Sequence, residues 1–518
     1  ESGSPMARQS FIKGTLILLA AGIANRLLGF IPRIALPRII GPEGVGLYQM
    51  AWPMLMVAIT VISGGIPLAV AKLTAEAEAA GNRRRAAAVL KTALAAAAGL
   101  GLVFALLCLQ LADWIALHVF TDVRVKWPFL AMSPVLVIIA VSSVLRGYFQ
   151  GLHDMVPTAL SQFVETLLRI AFVLALSFLL MPKGVQYGAA GAMLGVAVGE
   201  LGGLFVLLAK WRNERRRAVP SGESGRPAGI AGRLARIALP VTGSRLVGSG
   251  SYFLESVLIV HALAAAGVAT AAATAQYGVL QGMVMPVLLL PTALTYSLSV
   301  SLVPALSEAR QRRDRPTAVR RMRQSLRLSL LAGAPFAVFL YAFAEPLCQL
   351  AFGSREAGAM LRMMAPVAVF LYLQGPLAAA LQALDRPGAA LANTAAGAAV
   401  KLALIAVLAS RPELGITGAV IAICVNTALV TALHWNSVSR LLRLPLPMAD
   451  ILKAGAAALL AGAAGKFAWN ALHLPAAPGL ACALAAALPV YGLACLAFGL
   501  ADASGMKRLL AAGLKNRR

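Results

Sequence analysis

The chain is 518 residues long, 59% hydrophobic and only 13% charged, with a mean hydropathy of +0.79. Soluble domains are nearer a quarter charged, so composition excludes a soluble enzyme or binding module and points to an all-α polytopic membrane protein. The formal net charge of +26 does not indicate nucleic acid, because the basic residues gather in every second loop, as the positive-inside rule requires.

In chain order, Glu1–Pro5 reads as an expression scar before Met6. About 20 apolar residues suffice to cross a bilayer, and on that criterion the sequence predicts fourteen spans. They are 10–35, 44–71, 87–112, 128–149, 156–181, 187–209, 232–261, 271–304, 324–345, 357–383, 388–409, 414–439, 450–471 and 476–500. The alternating ten-residue segments of a membrane β-barrel are missing from the sequence. Basic stretches such as GNRRRAAAVLK, KWRNERRRAVPSGESGRP and EARQRRDRPTAVRRMRQ place both termini in the cytoplasm. Residues 211–230, rich in Arg, Gly, Ser and Pro, form the linker between two halves.

The halves carry matching punctuation. Asn25-Arg26-Leu27-Leu28-Gly29 is echoed by Ser244-Arg245-Leu246-Val247-Gly248, an offset of 219. Pro134 and Gln150 are echoed by Pro366 and Gln382, an offset of 232. Gly188-Ala-Ala-Gly-Ala opens the sixth span as Gly415-Ile-Thr-Gly-Ala opens the twelfth. Matches in one order imply a parallel repeat: a six-span lobe over 6–210, a second over 231–442, and two extra spans with a basic tail over 443–518. Parallel repeats about an axis along the membrane normal are a transporter architecture, with substrate held between the lobes.

Ionisable residues inside spans are costly and therefore informative. Arg26 and Arg33, seven apart, share a face of the first span, and Arg245 holds the place equivalent to Arg26. Neither Arg26 nor Arg245 has an acidic partner within its own turn, so both are expected to face a cationic cavity, with Arg33 as a third candidate. An arginine fork suits phosphate oxygens. Glu165 and Arg169 form an i,i+4 pair in the favourable order; they either fix helix packing or line the cavity and take part in coupling, as do Glu255 and Lys401. Glu200 lies in the sixth span, and Lys466 is expected to snorkel outward. The polar patch LRGYFQGLHDM puts Arg146, Gln150 and Asp154 at the turn from the fourth span to the fifth, in reach of water, as a gating or structural corner. Prolines within spans (Pro53 and Pro134 among them) kink helices.

The five cysteines and five histidines form no metal or redox spacing, and no Walker A, HExxH or GxSxG motif is present. No cofactor and no catalytic residue are expected.

The stretches RLLGFIPRIALPRIIGPEGVGLYQM, GGIPLAVAKLTAE, LRGYFQGLHDMVPTALSQFVETLLR, LLLPTALTYSLSVSLVPALSEA and GITGA resemble the stage V sporulation protein B family. That family lies in the polysaccharide-transport branch of the multidrug/oligosaccharidyl-lipid/polysaccharide exporter superfamily. The resemblance implies two six-helix lobes around a central cavity. It also implies a flippase for an undecaprenyl-diphosphate-linked glycan, a peptidoglycan precursor such as lipid II used for the spore cortex. Coupling would be to membrane potential or an ion gradient, and partners would be membrane lipids and cell-wall synthesis enzymes. The lipid II flippases are more distant: NRLLGFIPRI partly matches their first span and Arg26 falls on their first functional arginine, but Pro32-Arg33 stands where they have Arg-Asp. Val57-Ala58 stands where they carry an arginine pair, so this chain requires a different cation set, with Arg245 a candidate. The competing functions are a cation-coupled multidrug antiporter of the same superfamily, disfavoured by the arginines of the first span, and a non-transport envelope scaffold.

Overall fold

A computed structural model describes Asn25, residues 28–217 and residues 229–500, and every described element is helical. Arg26 and most of the expected first span lie outside the described residues. Among the described residues thirteen candidate spans are long and apolar enough to cross a membrane.

The first described helix, α1 (Phe30–Ser63), runs through the expected loop between spans one and two with a single kink at Gly41, φ 68° and ψ 176°. Glycine alone takes that φ without a Cβ clash, and Pro42 behind it has no N–H to donate. After the Gly64–Gly65 break comes α2 (Ile66–Ala79), with a proline in its first turn. Next is α3 (Arg83–His118), whose N-cap Asn82 accepts the Arg85 N–H at 2.9 Å. At 1.5 Å per residue α3 is about 54 Å long, more than the roughly 30 Å hydrocarbon core, so its ends stand outside it. A short turn leads to α4 (Lys126–Gly151), followed by α5 (Val156–Leu180) and α6 (Val185–Arg217). The expected linker therefore starts late: helix continues from Trp211 through Arg217.

Beyond the linker come α7 (Ile230–Ala265), α8 (Thr270–Gly278), a π turn at Val279–Val284 and α9 (Met285–Leu289). The chain breaks at Leu290–Pro291 before α10 (Thr292–Gln311), so the expected eighth span is a broken helix, with Pro286 and Pro291 at the starts of segments and Pro304 inside α10. The rest are α11 (Arg315–Ala342), α12 (Ala344–Phe352), α13 (Arg355–Met364), α14 (Ala368–Ala383), α15 (Pro387–Leu404), α16 (Ile416–Leu442), α17 (Met448–Leu472) and α18 (Ala476–Ala497).

The chain divides into two compact units, one of residues 1–282 with 409–416 and one of 283–408 with 417–518. In the first, α7 and α8 pack onto α1 and α2. In the second, Tyr372 is fully buried against Gly333, where a Cβ would sit 2.4 Å from its ring, and its hydroxyl donates to the Leu288 carbonyl at 3.0 Å.

Several helices end on the same three backbone hydrogen bonds. The Leu152, His153 and Asp154 N–H groups donate to the Tyr148, Gln150 and Phe149 carbonyls. At the offset that carries Pro134 onto Pro366, Leu384, Asp385 and Arg386 donate to Ala380, Gln382 and Leu381. The turn after α2 repeats in the same way: Ala80, Gly81 and Asn82 donate to Glu76, Glu78 and Ala77, as Arg312, Arg313 and Asp314 do to Glu308, Arg310 and Ala309.

Candidate functional site

The most polar place in the first unit is made by glycine. Gly191, Gly195, Gly199 and Gly203 recur every fourth residue along α6 and so form one stripe, the arrangement that lets helices approach closely in lipid. Added Cβ atoms would lie 2.6 Å from the Leu176 carbonyl oxygen at Gly191, 2.3 Å from the Val173 nitrogen at Gly195 and 2.6 Å from the Arg169 Cβ at Gly199. With α5 drawn in this far, Glu200 of α6 meets Glu165 and Arg169 of α5, and Arg146 of α4 enters from the side.

Arg146 Nη2 lies 2.6 Å from Glu165 Oε2 and 3.9 Å from Glu200 Oε2; Arg169 Nη1 lies 2.8 Å from Glu165 Oε1. The two carboxylate side chains are 8% and 9% exposed. Two arginines and two glutamates are neutral in sum when all are ionised, which is how such a group survives inside a bundle. Glu165 is saturated, with a guanidinium on each oxygen. Glu200 is not: its Oε2 is buried without a hydrogen-bond partner, as is Arg146 Nε.

Arg146 was expected at the turn in reach of water; its side chain is only 19% exposed and reaches two buried carboxylates instead. Because α4 continues unbroken to Gly151, Arg146 lies more than a turn before its end and faces α5 and α6. Asp154 lies beyond the helix, exposed, its Oδ1 accepting the Val156 N–H at 3.1 Å. Gln150 is half-buried in the last turn.

Arg245 is exposed on α7, and its Nη1 donates to the Gly64 carbonyl at 2.7 Å. One turn earlier the Thr242 hydroxyl accepts the Gly65 N–H at 3.0 Å, and a Cβ on Gly65 would lie 2.2 Å from the Ala238 oxygen. The unsatisfied backbone of the α1–α2 break is thus what α7 rests on, and Arg245 sits at its edge. Arg33 is exposed on α1, 5.7 Å over the Phe30 ring. Glu255 is buried and accepts from Gln281 Nε2, in the π turn, at 3.0 Å. Lys401 is half-buried on α15, in the second unit. None of Arg33, Arg245 and Glu255 joins the Arg146 cluster.

A second polar group has no counterpart among the sequence-based candidates. Asp122, 3% exposed, accepts from the Arg124 N–H and Nε at 3.0 Å, from Arg124 Nη2 at 2.7 Å and from the Thr274 hydroxyl at 2.9 Å. Arg124 Nη1 reaches Glu43 at 2.6 Å. Burial works against the Asp122 carboxylate, but its hydrogen bonds to Arg124 and Thr274 outweigh burial and hold the pKa below the ordinary 3.8. Beneath this latch α1 and α8 touch through glycine: Cβ atoms would lie 2.0 Å from the Thr274 oxygen at Gly46 and 2.2 Å from the Pro42 oxygen at Gly278. At the other end of α3, Arg233 of α7 pairs with Glu76 of α2 at 2.5 Å. The segment TDVRV announces a local Asp–Arg pair, but Glu43 and Thr274 are too far along the chain for any spacing to reveal.

Residues 11–310 match the model of a family described as Polysaccharide biosynthesis protein. The chain is 41% identical over 511 residues to stage V sporulation protein B of Bacillus subtilis (strain 168), covering 97% of this chain and 98% of that protein. It is 24% identical over 416 residues to the lipid II flippase MurJ of the same strain, covering 76% of each. A solved structure of lipid II flippase MurJ in an inward closed conformation superposes with a TM-score of 0.70 at 14% identity, over 93% of this chain and 98% of that one. That likeness establishes the fold: a multi-pass, all-helical membrane architecture.

Proposed function

The chain belongs to the Polysaccharide biosynthesis protein family, and from that premise we propose that it is a flippase for a polyprenyl-diphosphate-linked glycan. In this reading the substrate is an undecaprenyl-diphosphate peptidoglycan precursor such as lipid II, moved to the outer leaflet for spore cortex synthesis. The observation that carries it is the 41% identity, along nearly the whole chain, to a protein named for sporulation, joined by a more distant relative named as a lipid II flippase. The lobes are 6–210 and 231–442, with 443–518 outside the repeat and both termini in the cytoplasm; the sequence matches of Pro134 and Gln150 with Pro366 and Gln382 support the repeat.

The physical task is to move a diphosphate and sugar through hydrocarbon while the polyprenyl tail stays in lipid. A buried diphosphate needs cations and fixed donors, since an unpaired charge there costs several kcal/mol. Arg245 is the leading candidate to take it, with Arg26 and Arg33 completing the cation set. Arg245 is exposed, anchored by one donor to the Gly64 carbonyl, and its fork suits phosphate oxygens. Alternating access of the lobes then carries the head group across, driven by membrane potential or an ion gradient.

The test is flipping of labelled lipid II by purified protein in vesicles. Movement by wild type, with a loss of about tenfold or more in Arg245→Ala and a smaller loss in Arg245→Lys, is expected; tenfold corresponds to about 1.4 kcal/mol of barrier. No movement of lipid II or of any polyprenyl-diphosphate glycan would defeat the proposal.

A further inference from the structure

The Arg146 cluster contains more charge than the fold needs. At the repeat-equivalent positions the second half has Ala378 for Arg146 and Gly397 for Glu165, keeping a cation only at Lys401 for Arg169. On α15 a Cβ at Gly397 would meet only the side chains of Val430 and Asn426, so α15 and α16 face each other without the carboxylates and without the close backbone approach of α5 and α6. The adjoining turn keeps its three helix-ending backbone hydrogen bonds. A helical corner of this kind therefore forms without buried glutamates.

The cluster is also unevenly satisfied. Arg146 stands between two carboxylates, 2.6 Å from one and 3.9 Å from the other, while Glu200 Oε2 has no hydrogen-bond partner although its side chain is more than nine-tenths buried. A buried ionised oxygen without a donor is a costly arrangement. Two changes relieve it: a swing of the Arg146 guanidinium toward Glu200, or a proton on Glu200. The groups facing Glu200 are Arg146 from α4 and Glu165 and Arg169 from α5, with the Arg169 charge also felt by Tyr48 of α1. Arg169, 31% exposed, marks the open side of the cluster.

We propose that Glu200 is a proton-binding site whose occupancy is governed by Arg146, and that it couples lipid translocation to a proton gradient. With Glu200 protonated, Arg146 stays on Glu165 and the cluster has a net charge of +1; when the proton leaves to water, Arg146 bridges both carboxylates and the cluster is neutral. The shift of one guanidinium alters how α4 is held against α5 and α6, which is the mechanical step a transporter requires. The coupling half of this proposal rests on the flippase reading above; the proton site does not.

Infrared titration of the purified protein in lipid, across pH, reads the site without transport. Wild type is expected to show a protonated-carboxyl band that titrates, lost in Glu200→Gln and retained in Glu255→Gln. Arg146→Lys, which keeps the charge but not the fork, guards against a Glu200 variant that fails to fold and is expected to shift the midpoint of the band. An unchanged band in both Glu200→Gln and Arg146→Lys overturns the site. In vesicles with labelled lipid II, the wild-type rate is expected to follow an imposed pH gradient, and that of Glu200→Gln to lose this dependence. If lipid moves at a rate indifferent to the gradient in wild type, the coupling is wrong while the flippase stands. If no lipid moves, the flippase reading fails and the infrared result still decides the proton site.

Discussion

The turn after α4 and the turn after α14 are the same object built twice. Each ends its helix with the same three backbone hydrogen bonds and each puts a non-glycine residue in the left-handed region, His153 at φ 58° and Asp385 at φ 53°. Near the first turn two arginines and two buried glutamates meet; at the equivalent positions of the second half stand Ala378, Gly397 and Lys401, and the charges of its turn are an exposed Arg310–Asp385 pair. The backbone geometry of the turn is therefore independent of the buried Arg146 cluster, which belongs to the first half.

The largest way to break that comparison is Glu165→Ala. It leaves Glu200 as the one carboxylate facing both arginines of the cluster, and removing a partner from a buried ion pair costs up to about 3–5 kcal/mol. Unfolding of the purified protein should show that loss, and a near-neutral result would mean that water already screens the cluster. Next is glycine spacing. Gly195→Ala presses a methyl onto the Val173 backbone, which cannot yield, and should cost about 1–3 kcal/mol as an overpacking change. Gly397→Ala meets the Val430 side chain first, 2.2 Å away, which can rotate; the same assay should rank it milder.

Smaller effects sharpen the likeness. His153→Gly and Asp385→Gly each remove strain at positive φ, and each should gain up to about 1 kcal/mol, by similar amounts because the turns match. The smallest is a pH effect at the turn that precedes α4. Asp122 accepts the Arg124 N–H there, and its repeat equivalent Ser354 accepts the Ala357 N–H before α13. The Asp122 pKa is depressed when folded, so its contribution is full above the ordinary 3.8 and disappears as pH falls through the lower folded value. The stability gap between wild type and Asp122→Asn should stay constant at neutral pH and vanish in acid, whereas Ser354→Ala should give a gap that acid leaves alone.

Much of this was legible along the chain. Spans were readable because crossing a bilayer imposes length and apolarity on each segment separately, and the repeat because Pro134 and Gln150 return in order as Pro366 and Gln382. The Glu165–Arg169 pair was readable because four residues make one helical turn. Arg146 was assigned to the water-facing turn because nothing near it in the chain is acidic enough to show that Glu165 and Glu200, 19 and 54 residues on, would draw it inward. Glu200 could be seen as a charge but not as half of a pair, and the Asp122–Thr274 bond spans 152 residues.

By itself the sequence determined what each segment must be: apolar helices of spanning length, turns at glycine and proline, and a duplicated plan. Those properties depend on neighbours a few residues away. Only the tertiary structure decided which charges meet, because helix contact in lipid is set by where small residues let two backbones close to within a side chain's width, and that depends on both helices at once. The Gly191–Gly203 stripe is visible in the chain; that it delivers Glu200 to Glu165 and Arg146 is not.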